Sequence, residues 1–272
     1  MVNKNTQTDI SSKPADDPEQ QDRYRAPALD KGLDILELLA DQPEGLTRGE
    51  IVKALDRGPS EIYRMLERLV ARQYVLRSLA GDRYSLSLKM FDLAHRYPPN
   101  HRLVTQALPV MDRYVKEAEQ SCHLGVYDRG NVQIVAQVNS PAASSMTVRP
   151  GTRVNLLDTG SGQVLLACES EERRRQMLAE HVALDGEVQI PPDELEHMLE
   201  AVRATGYRQR ESMQYFGVID ISCPILGPRG HALAVLTTPY IRRIDRHAIP
   251  SLDRARELML QAARDLSLLA NA

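Results

Sequence analysis

The stretch Gly58–Arg72, which reads GPSEIYRMLERLVAR, decides how the N-terminal part of the chain folds. Its apolar residues recur three and four positions apart, the period of one helix face: Ile62, Met65, Leu66, Leu69 and Val70. Three arginines, Arg64, Arg68 and Arg72, repeat every four positions on another face. Pro59 suits a first helical turn, where its missing N–H costs nothing. The pattern predicts a helix with an apolar face and a basic face.

The segments on either side of this helix indicate a larger motif. Upstream, residues 46–55 form a short helical pattern that ends at an Asp-Arg-Gly turn. Downstream, residues 74–77 and 83–86 resemble two strands joined by a hairpin turn. A helix, a turn, an amphipathic helix and a hairpin make a winged helix-turn-helix, whose second helix enters the DNA major groove. Taken alone, the basic face has an alternative interpretation as the solvated side of an ordinary surface helix.

Charge supports DNA binding only locally. Residues 28–90 carry ten basic and ten acidic side chains, whereas residues 57–77 carry five arginines against two glutamates. A neutral domain with one basic face fits a protein that binds selected DNA without coating all of it.

Composition limits the class of protein. The chain has 272 residues, room for two domains, with a net charge of −3 and 42% hydrophobic residues. No apolar run approaches the length of a membrane span, and no signal-peptide core is present. The three cysteines are far apart in sequence, which predicts neither disulfides nor a metal site and fits a reducing cytoplasm. We therefore expect a cytoplasmic protein without a cofactor or membrane contact.

Four segments follow from the patterns along the chain. Residues 1–25 are polar and predict a disordered tail. Residues 26–86 make the winged helix-turn-helix domain, in which a first helix over 28–40 completes a three-helix core. Residues 87–119 predict a helical linker, broken near 97–100 and kinked or restarted at Pro109. Leu88, Phe91 and Leu93 in this linker are apolar and favour a dimer contact, with packing on the first domain as the alternative.

Residues 120–272 predict an antiparallel α+β domain. Strand patterns fall at 122–127, 132–138, 145–148, 207–209, 218–226 and 231–238. Helical patterns fall at 163–168, 171–179, 191–205 and about 246–269. Strands with helices before, within and after them, and without alternating βαβ units, indicate an α+β fold.

The sequence favours a binding pocket over a catalytic site in this second domain. It contains no HExxH, CxxC, Walker loop or GxSxG elbow, and no two histidines stand at metal-ligand spacing. His123 is placed to face the sheet, where a structural histidine is the simpler interpretation. Gly160-Ser161-Gly162 at a helix start offers backbone N–H groups to an anion, although a tight loop would have the same sequence.

The strand residues near this loop suggest which functional groups the bound anion has. Asp220 interrupts an apolar strand, so a buried carboxylate there needs a hydroxyl or an arginine as partner. Thr237 and Thr238 end the neighbouring strand and offer hydroxyls at a similar level. Together these groups fit a small hydroxylated carboxylic acid, and we expect a sugar acid rather than an aromatic acid.

Over roughly residues 28–268 the chain resembles the IclR family of bacterial transcriptional regulators. The resemblance rests on the order and spacing of short segments, which are residues 28–39, 45–47, 60–64, 83–86, 150–153, 160–167, 206–207 and 217–218. It implies an N-terminal winged helix-turn-helix domain and a C-terminal GAF-like effector domain with a central antiparallel sheet. It also implies homodimers, some paired into homotetramers, on palindromic operators in double-stranded DNA.

By matching position, the resemblance and the basic helix together give two sets of site residues. The expected DNA-binding residues are Thr47, Ser60, Glu61, Tyr63, Arg64, Arg68 and Arg83. The expected effector-binding residues are Met146, Gly160, Ser161, Arg210, Asp220, Thr237 and Thr238. No catalytic or metal-binding residue is expected.

The chain departs from the family's usual pattern at several of these positions. Glu61 replaces a common threonine, and an acid there could accept a hydrogen bond from cytosine or repel phosphate. Arg210 stands where an acidic residue is usual, Asp220 where a small or thiol residue is usual, and Leu236 where serine is common. An Asp220–Arg210 pair, or Arg210 on a ligand carboxylate, would explain two of these changes.

These observations predict a sequence-specific DNA-binding transcriptional regulator, a repressor of a catabolic operon, controlled by a small organic acid. One alternative is an enzyme or small-molecule sensor whose helix-turn-helix mediates protein contact. Another is a constitutive DNA-binding protein whose second domain is purely structural.

Overall fold

The computed structural model describes residues 26–96, 98–142, 145–242 and 249–271, and it divides into two compact units between Arg96 and Tyr97. The predicted disordered tail and the predicted start of the last helix near Arg246 lie outside the described residues. The predicted linker falls in both units, because its first helix belongs to the N-terminal unit and its second to the C-terminal unit.

The N-terminal unit combines short helices with a small antiparallel sheet. Its elements are α1 (Pro27–Ala40), β1 (Leu46–Thr47), α2 (Arg48–Leu55), α3 (Pro59–Ala71), β2 (Val75–Arg77), β3 (Arg83–Leu86) and α4 (Lys89–His95). The strands pair in the order β1-β3-β2. One buried residue or more from each of α1, α2, α3, β2 and β3 forms a common core: Ile35, Leu39, Ile51, Ile62, Leu66, Val75 and Tyr84. This is a winged helix-turn-helix.

The start of α2 differs from the sequence expectation. Leu46 and Thr47 were expected to be helical, but they form β1 and pair with Tyr84 and Arg83 of β3. The helix begins at Arg48, two residues later than expected, because the Thr47 side chain accepts from the Glu50 N–H while the Glu50 carboxylate accepts from the Thr47 N–H. This reciprocal cap satisfies two backbone donors and fixes the helix start.

The C-terminal unit places a curled antiparallel sheet between two layers of helices. Its elements are α5 (Pro98–Ala118), β4 (Cys122–Asp128), β5 (Asn131–Val138), β6 (Arg153–Val154), α6 (Gly160–Ala167), α7 (Glu171–Glu180), α8 (Pro192–Thr205), β7 (Arg208–Glu211), β8 (Val218–Leu226), β9 (Ala232–Ile241) and α9 (Leu252–Ala270). The strand order is β6-β5-β4-β9-β8-β7. Helices α5 and α9 share one core with the sheet, and α6, α7 and α8 share another. The expected α+β class is confirmed.

Three expectations for this unit are corrected. Residues 145–148 form no strand, and the third strand is the two-residue β6, which pairs with Val132 and Gln133. Helix α5 begins at Pro98, within the segment expected to break the helix. It also continues through Pro109 without restarting, since the rest of the helix stays packed on the sheet through Met111, Tyr114 and Ala118.

Candidate DNA-reading helix and effector cavity

Helix α3 shows the two faces that its sequence predicted. Ile62 and Leu66 are fully buried, whereas Ser60, Tyr63, Arg64 and Arg68 are exposed. Ser60, Tyr63 and Arg64 stand on the first turns of the second helix of the motif, the part that reaches base edges in helix-turn-helix proteins, and Arg68 stands on its last turn. The packing of the apolar face therefore leaves these four side chains available to DNA.

Glu61 forms an ion pair with a residue of a neighbouring helix. Its carboxylate forms an ion pair with Lys31 of α1, with 2.8 Å between Nζ and Oε1. The Lys31 hydrogen bond and charge hold the pKa of Glu61 below its usual range. Glu61 is therefore an anion whose charge is partly balanced within the domain.

The remaining predicted DNA contacts already have partners inside the unit. The Thr47 side chain caps α2, and Arg83 donates from Nη1 to the Gly45 carbonyl at 2.8 Å. The guanidinium of Arg48, which was not predicted, lies 5.6 Å from the centre of the Tyr63 ring. These contacts hold the wing, α2 and α3 together and so position the exposed face of α3.

A small cavity in the C-terminal unit gathers most of the predicted effector residues. It has a volume of about 50 Å³, and its wall includes Met146, Gly160, Ser161, Asp220 and Thr237. His123 of β4 lines the same cavity, as do Ser212, Gln214 and Tyr215 from the β7–β8 connection. Since a single water needs at least ~10–15 Å³ of such volume, the cavity holds only a few small groups in this conformation.

A chain of buried hydroxyls runs along one wall. The Ser161 and Thr237 hydroxyls are 2.9 Å apart, and Thr237 donates to Ser222 Oγ at 2.8 Å. Gly160 lets α6 approach this wall, because a Cβ at that position would lie 2.6 Å from Ser222 Oγ. Thr159 caps the helix by accepting from the Gly162 N–H at 3.1 Å. The first turn of α6 is thus held against the sheet, with its positive end at the cavity.

His123 contributes a polar group without a partner. Its side chain is 6% exposed, and Nδ1 has no hydrogen-bond partner among the described residues. Burial lowers the pKa of His123 to about 4, so the ring is neutral near pH 7. A neutral imidazole in a cavity offers either a donor or an acceptor to a ligand, according to its tautomer.

Asp220 and Arg210 face each other across β7 and β8. The two residues are directly opposite in the antiparallel register. Burial raises the pKa of Asp220 to about 6, while a hydrogen bond from Ser212 and the charge of Arg210 act in the other direction. The Arg210 guanidinium itself lies 3.4 Å from Met198 Sδ, measured from Nη1. The carboxylate therefore titrates close to neutral pH, with an arginine beside it.

Thr238 lies on the other side of the sheet from the cavity. Successive strand residues point to opposite faces, so Thr237 and Thr238 cannot serve one pocket. Thr238 is fully buried and donates to the Ser121 carbonyl, beneath α5. The expectation that both threonines line the pocket is corrected for Thr238.

The β7–β8 connection supplies cavity residues that the sequence analysis missed. Gln214 donates to the buried Asp158 at 3.4 Å, which ties the connection to the loop before α6. Tyr215 is 54% exposed although it borders the cavity. A polar loop gives no periodic signal, so only its position after a strand that ends at the cavity could have indicated these residues.

Other site types find no support in the part of the chain that the structure describes. Within the described residues, no group of three or more His, Cys, Asp or Glu side chains is arranged to hold a metal ion. None of the described helices combines the length and the apolar character needed to cross a membrane.

The fold and these two sites define a class of protein, a DNA-binding transcription regulator with a separate C-terminal domain. Residues 28–78 match the IclR helix-turn-helix domain, and residues 95–268 match the C-terminal domain of the bacterial transcriptional regulator IclR. The chain belongs to the IclR family.

Two relatives and one solved structure illustrate this membership. The glycerol operon regulatory protein of Streptomyces coelicolor is 28% identical over 73% of this chain and 78% of its own length. The transcriptional regulator BhcR of Paracoccus denitrificans is 29% identical over 88% of this chain and 86% of its own. An IclR homologue of Microbacterium hydrocarbonoxydans, crystallised with 4-hydroxybenzoate, has 21% identity and a TM-score of 0.74, covering 89% of this chain and 98% of its own. The last likeness concerns the fold.

Proposed function

We propose that this regulator represses a catabolic operon, and that a small hydroxylated acid, a sugar acid, relieves the repression by binding the cavity at the start of α6. The observation that carries the proposal is the buried wall formed by Ser161, Thr237 and His123, which offers hydroxyls and an unpartnered imidazole to a ligand. Polar groups inside an apolar domain are costly unless something binds them.

The chemistry of the wall favours an acid with hydroxyl groups. The N-terminus of α6 attracts a carboxylate, and the hydroxyl chain exchanges hydrogen bonds with ligand hydroxyls. The cavity volume of about 50 Å³ is far below the ~300 Å³ of a typical drug-sized site, which favours short acids. The regulator of a glycerol operon among the relatives supports a link to small hydroxylated compounds.

Thermal unfolding tests the site with a matched pair of variants. A panel of sugar acids, short keto acids and aromatic acids is added to the purified protein, and a bound acid raises the midpoint by several degrees at ~100 times its Kd. Thr237→Val removes a cavity hydroxyl and should abolish that shift. Thr238→Val removes an equally buried hydroxyl on the opposite face and should retain it. If no acid raises the midpoint, the effector assignment is wrong.

The repressor role is tested separately with the operator. The acid that stabilises the protein should release it from its operator DNA and raise transcription from the neighbouring promoter. An acid that instead strengthens operator binding or lowers transcription would contradict the proposed sign of regulation.

A further inference from the structure

Two arginines stand side by side next to the cavity. Arg208 and Arg210 are two positions apart on β7, so both point to the same face of the sheet. They lie opposite Ser222 and Asp220 of β8, whose side chains belong to the cavity side. Ser212, the next residue on that face, lines the cavity itself. Both guanidinium groups are therefore on the cavity side of the sheet, although neither arginine is among the residues that line the cavity.

Neither guanidinium has an anion of its own. Arg208 donates from Nε to the Gln163 amide oxygen at 2.8 Å, and Arg210 lies on the Met198 sulfur. Among the residues that the structure describes, no carboxylate oxygen lies within 4 Å of a guanidinium nitrogen of either arginine. An amide oxygen is a neutral acceptor and a thioether a weak one, so most of the N–H donors of both groups remain available.

The charge balance of this wall is positive. Burial and the charge of the neighbouring Arg210 both lower the pKa of Arg208, because each disfavours its charged form. The facing acid is Asp220, a single carboxylate against two guanidinium groups. Half-buried cations without a counter-ion are costly, and the positive end of α6 adds to the excess at the other side of the cavity. The positive charge of this wall is therefore not balanced within the protein, and an anionic group of a ligand could balance it.

We propose that the effector carries two anionic groups, one held at the start of α6 and the other held by Arg210 with Arg208 behind it. This inference rests on the proposed function and narrows its ligand class to hydroxylated acids with a second anion. A dicarboxylic sugar acid and a phosphorylated sugar acid share this chemistry. Because Met198 is a weak acceptor, the Arg210 side chain gives up little when it turns to the ligand.

Calorimetric titration with paired acids of equal carbon chain tests the inference. Tartrate is compared with threonate, which lacks the second carboxylate, and 3-phosphoglycerate with glycerate, which lacks the phosphate. We expect at least one of the two acids with two anionic groups to bind tenfold or more tightly than its partner with one. Arg210→Gln should reduce that preference to less than threefold. Arg175→Gln removes an exposed arginine on α7 and should leave the preference unchanged.

The outcomes separate the two levels of the proposal. A preference for tartrate alone identifies the second anion as a carboxylate, and a preference for 3-phosphoglycerate alone identifies it as a phosphate. Monoanions that bind as tightly as their partners, with no effect of Arg210→Gln, would overturn the two-anion inference and leave the proposed function intact. If none of the four acids and none of the wider panel bound, both the two-anion inference and the proposed effector site would be wrong. The melting point without ligand confirms that each variant is folded.

Discussion

His123 and Asp220 face one cavity and have pKa values shifted in opposite directions. Burial lowers the pKa of the histidine to about 4 from its usual 6.5, and burial raises the pKa of the aspartate to about 6 from 3.8. Burial disfavours the charged form in both cases, so one group resists protonation and the other resists ionisation. Near pH 7 the cavity is therefore built around a neutral ring and a carboxylate that readily takes up a proton.

The two shifts predict opposite effects of pH on stability. A group with a raised folded-state pKa stabilises the protein at low pH and loses that contribution as pH rises, here between about 4 and 6. A group with a lowered pKa destabilises the protein as pH falls, here between about 6.5 and 4. Relative to wild type, the melting point of Asp220→Asn should fall as pH is lowered through this window. That of His123→Asn should rise relative to wild type.

Melting curves at half-unit steps from pH 4 to pH 7.5 measure both differences. Each variant serves as the control for the other, since both change one polar side chain of the same cavity. Parallel curves for wild type and both variants would show that neither group titrates in the folded protein as its surroundings indicate.

For single residues, the sequence predicts which residues lie near the pocket, but only partly which side chains face it. Gly160, Ser161, Asp220 and Met146 were expected at the pocket, and the structure gathers them around one cavity. Thr237 and Thr238 looked equivalent because both end the same apolar strand. Only the register of β9 with β4, in which Thr237 is opposite His123, shows which of the two faces the cavity.

Helix α6 depends on a close approach that only glycine permits. A Cβ on Gly162 would lie 2.0 Å from the backbone carbonyl oxygen of Leu156, which cannot move aside as a flexible side chain could. Gly162→Ala should therefore lower the free energy of unfolding by about 3 kcal/mol or more. Gly32 in α1 has no atom within 4 Å of its added Cβ. Gly32→Ala should stabilise the protein by about 0.5–1 kcal/mol, through helix propensity.

Denaturant unfolding followed by circular dichroism compares these two variants. A small effect of Gly162→Ala would mean that the loop before α6 relaxes easily. In that case the first turn of α6 would be too mobile to serve as a fixed anion site.

Helix α3 makes a prediction about DNA. Arg68 is exposed on its second half, where helix-turn-helix proteins contact phosphates, so Arg68→Gln should weaken binding to every DNA sequence alike. The slope of log affinity against log salt should become shallower by about one unit. Fluorescence anisotropy with operator and unrelated DNA at several salt concentrations measures both effects. Arg175→Gln, which removes the same charge from the C-terminal unit, should change neither.

A different result would indicate that Arg68 contacts a base. If Arg68→Gln weakened binding to the operator only and left the salt slope unchanged, Arg68 would be a base contact and not a phosphate contact.

The elements themselves were predictable where the hydrophobic period is strong and long. The amphipathic pattern of α3 has this property, and the helix forms with Ile62 and Leu66 buried. The strand at 145–148 was expected from β-branched and apolar residues alone, yet the sheet takes Arg153–Val154 instead. Tertiary pairing chooses between such short segments, because two or three residues contain too little local preference to decide.

At the scale of the whole molecule, regulation requires that the effector and the operator affect each other's binding. An effector can change DNA affinity only through different affinities for two arrangements of the protein. The coupling is then reciprocal, so the factor by which the acid weakens operator binding equals the factor by which the operator weakens binding of the acid. A coupling of about 1–3 kcal/mol corresponds to a factor of about 5–150.

Two titrations with the full-length protein measure this factor independently. Operator affinity is determined without acid and with saturating acid, and acid affinity is determined without operator and with saturating operator. We expect two factors that agree within error and exceed fivefold. Thr238→Val, with an intact cavity, should keep the affinity for acid in the absence of DNA. Acid binding without any effect on operator binding would instead indicate a constitutive DNA-binding protein. Its second domain would bind a ligand without changing the affinity for DNA.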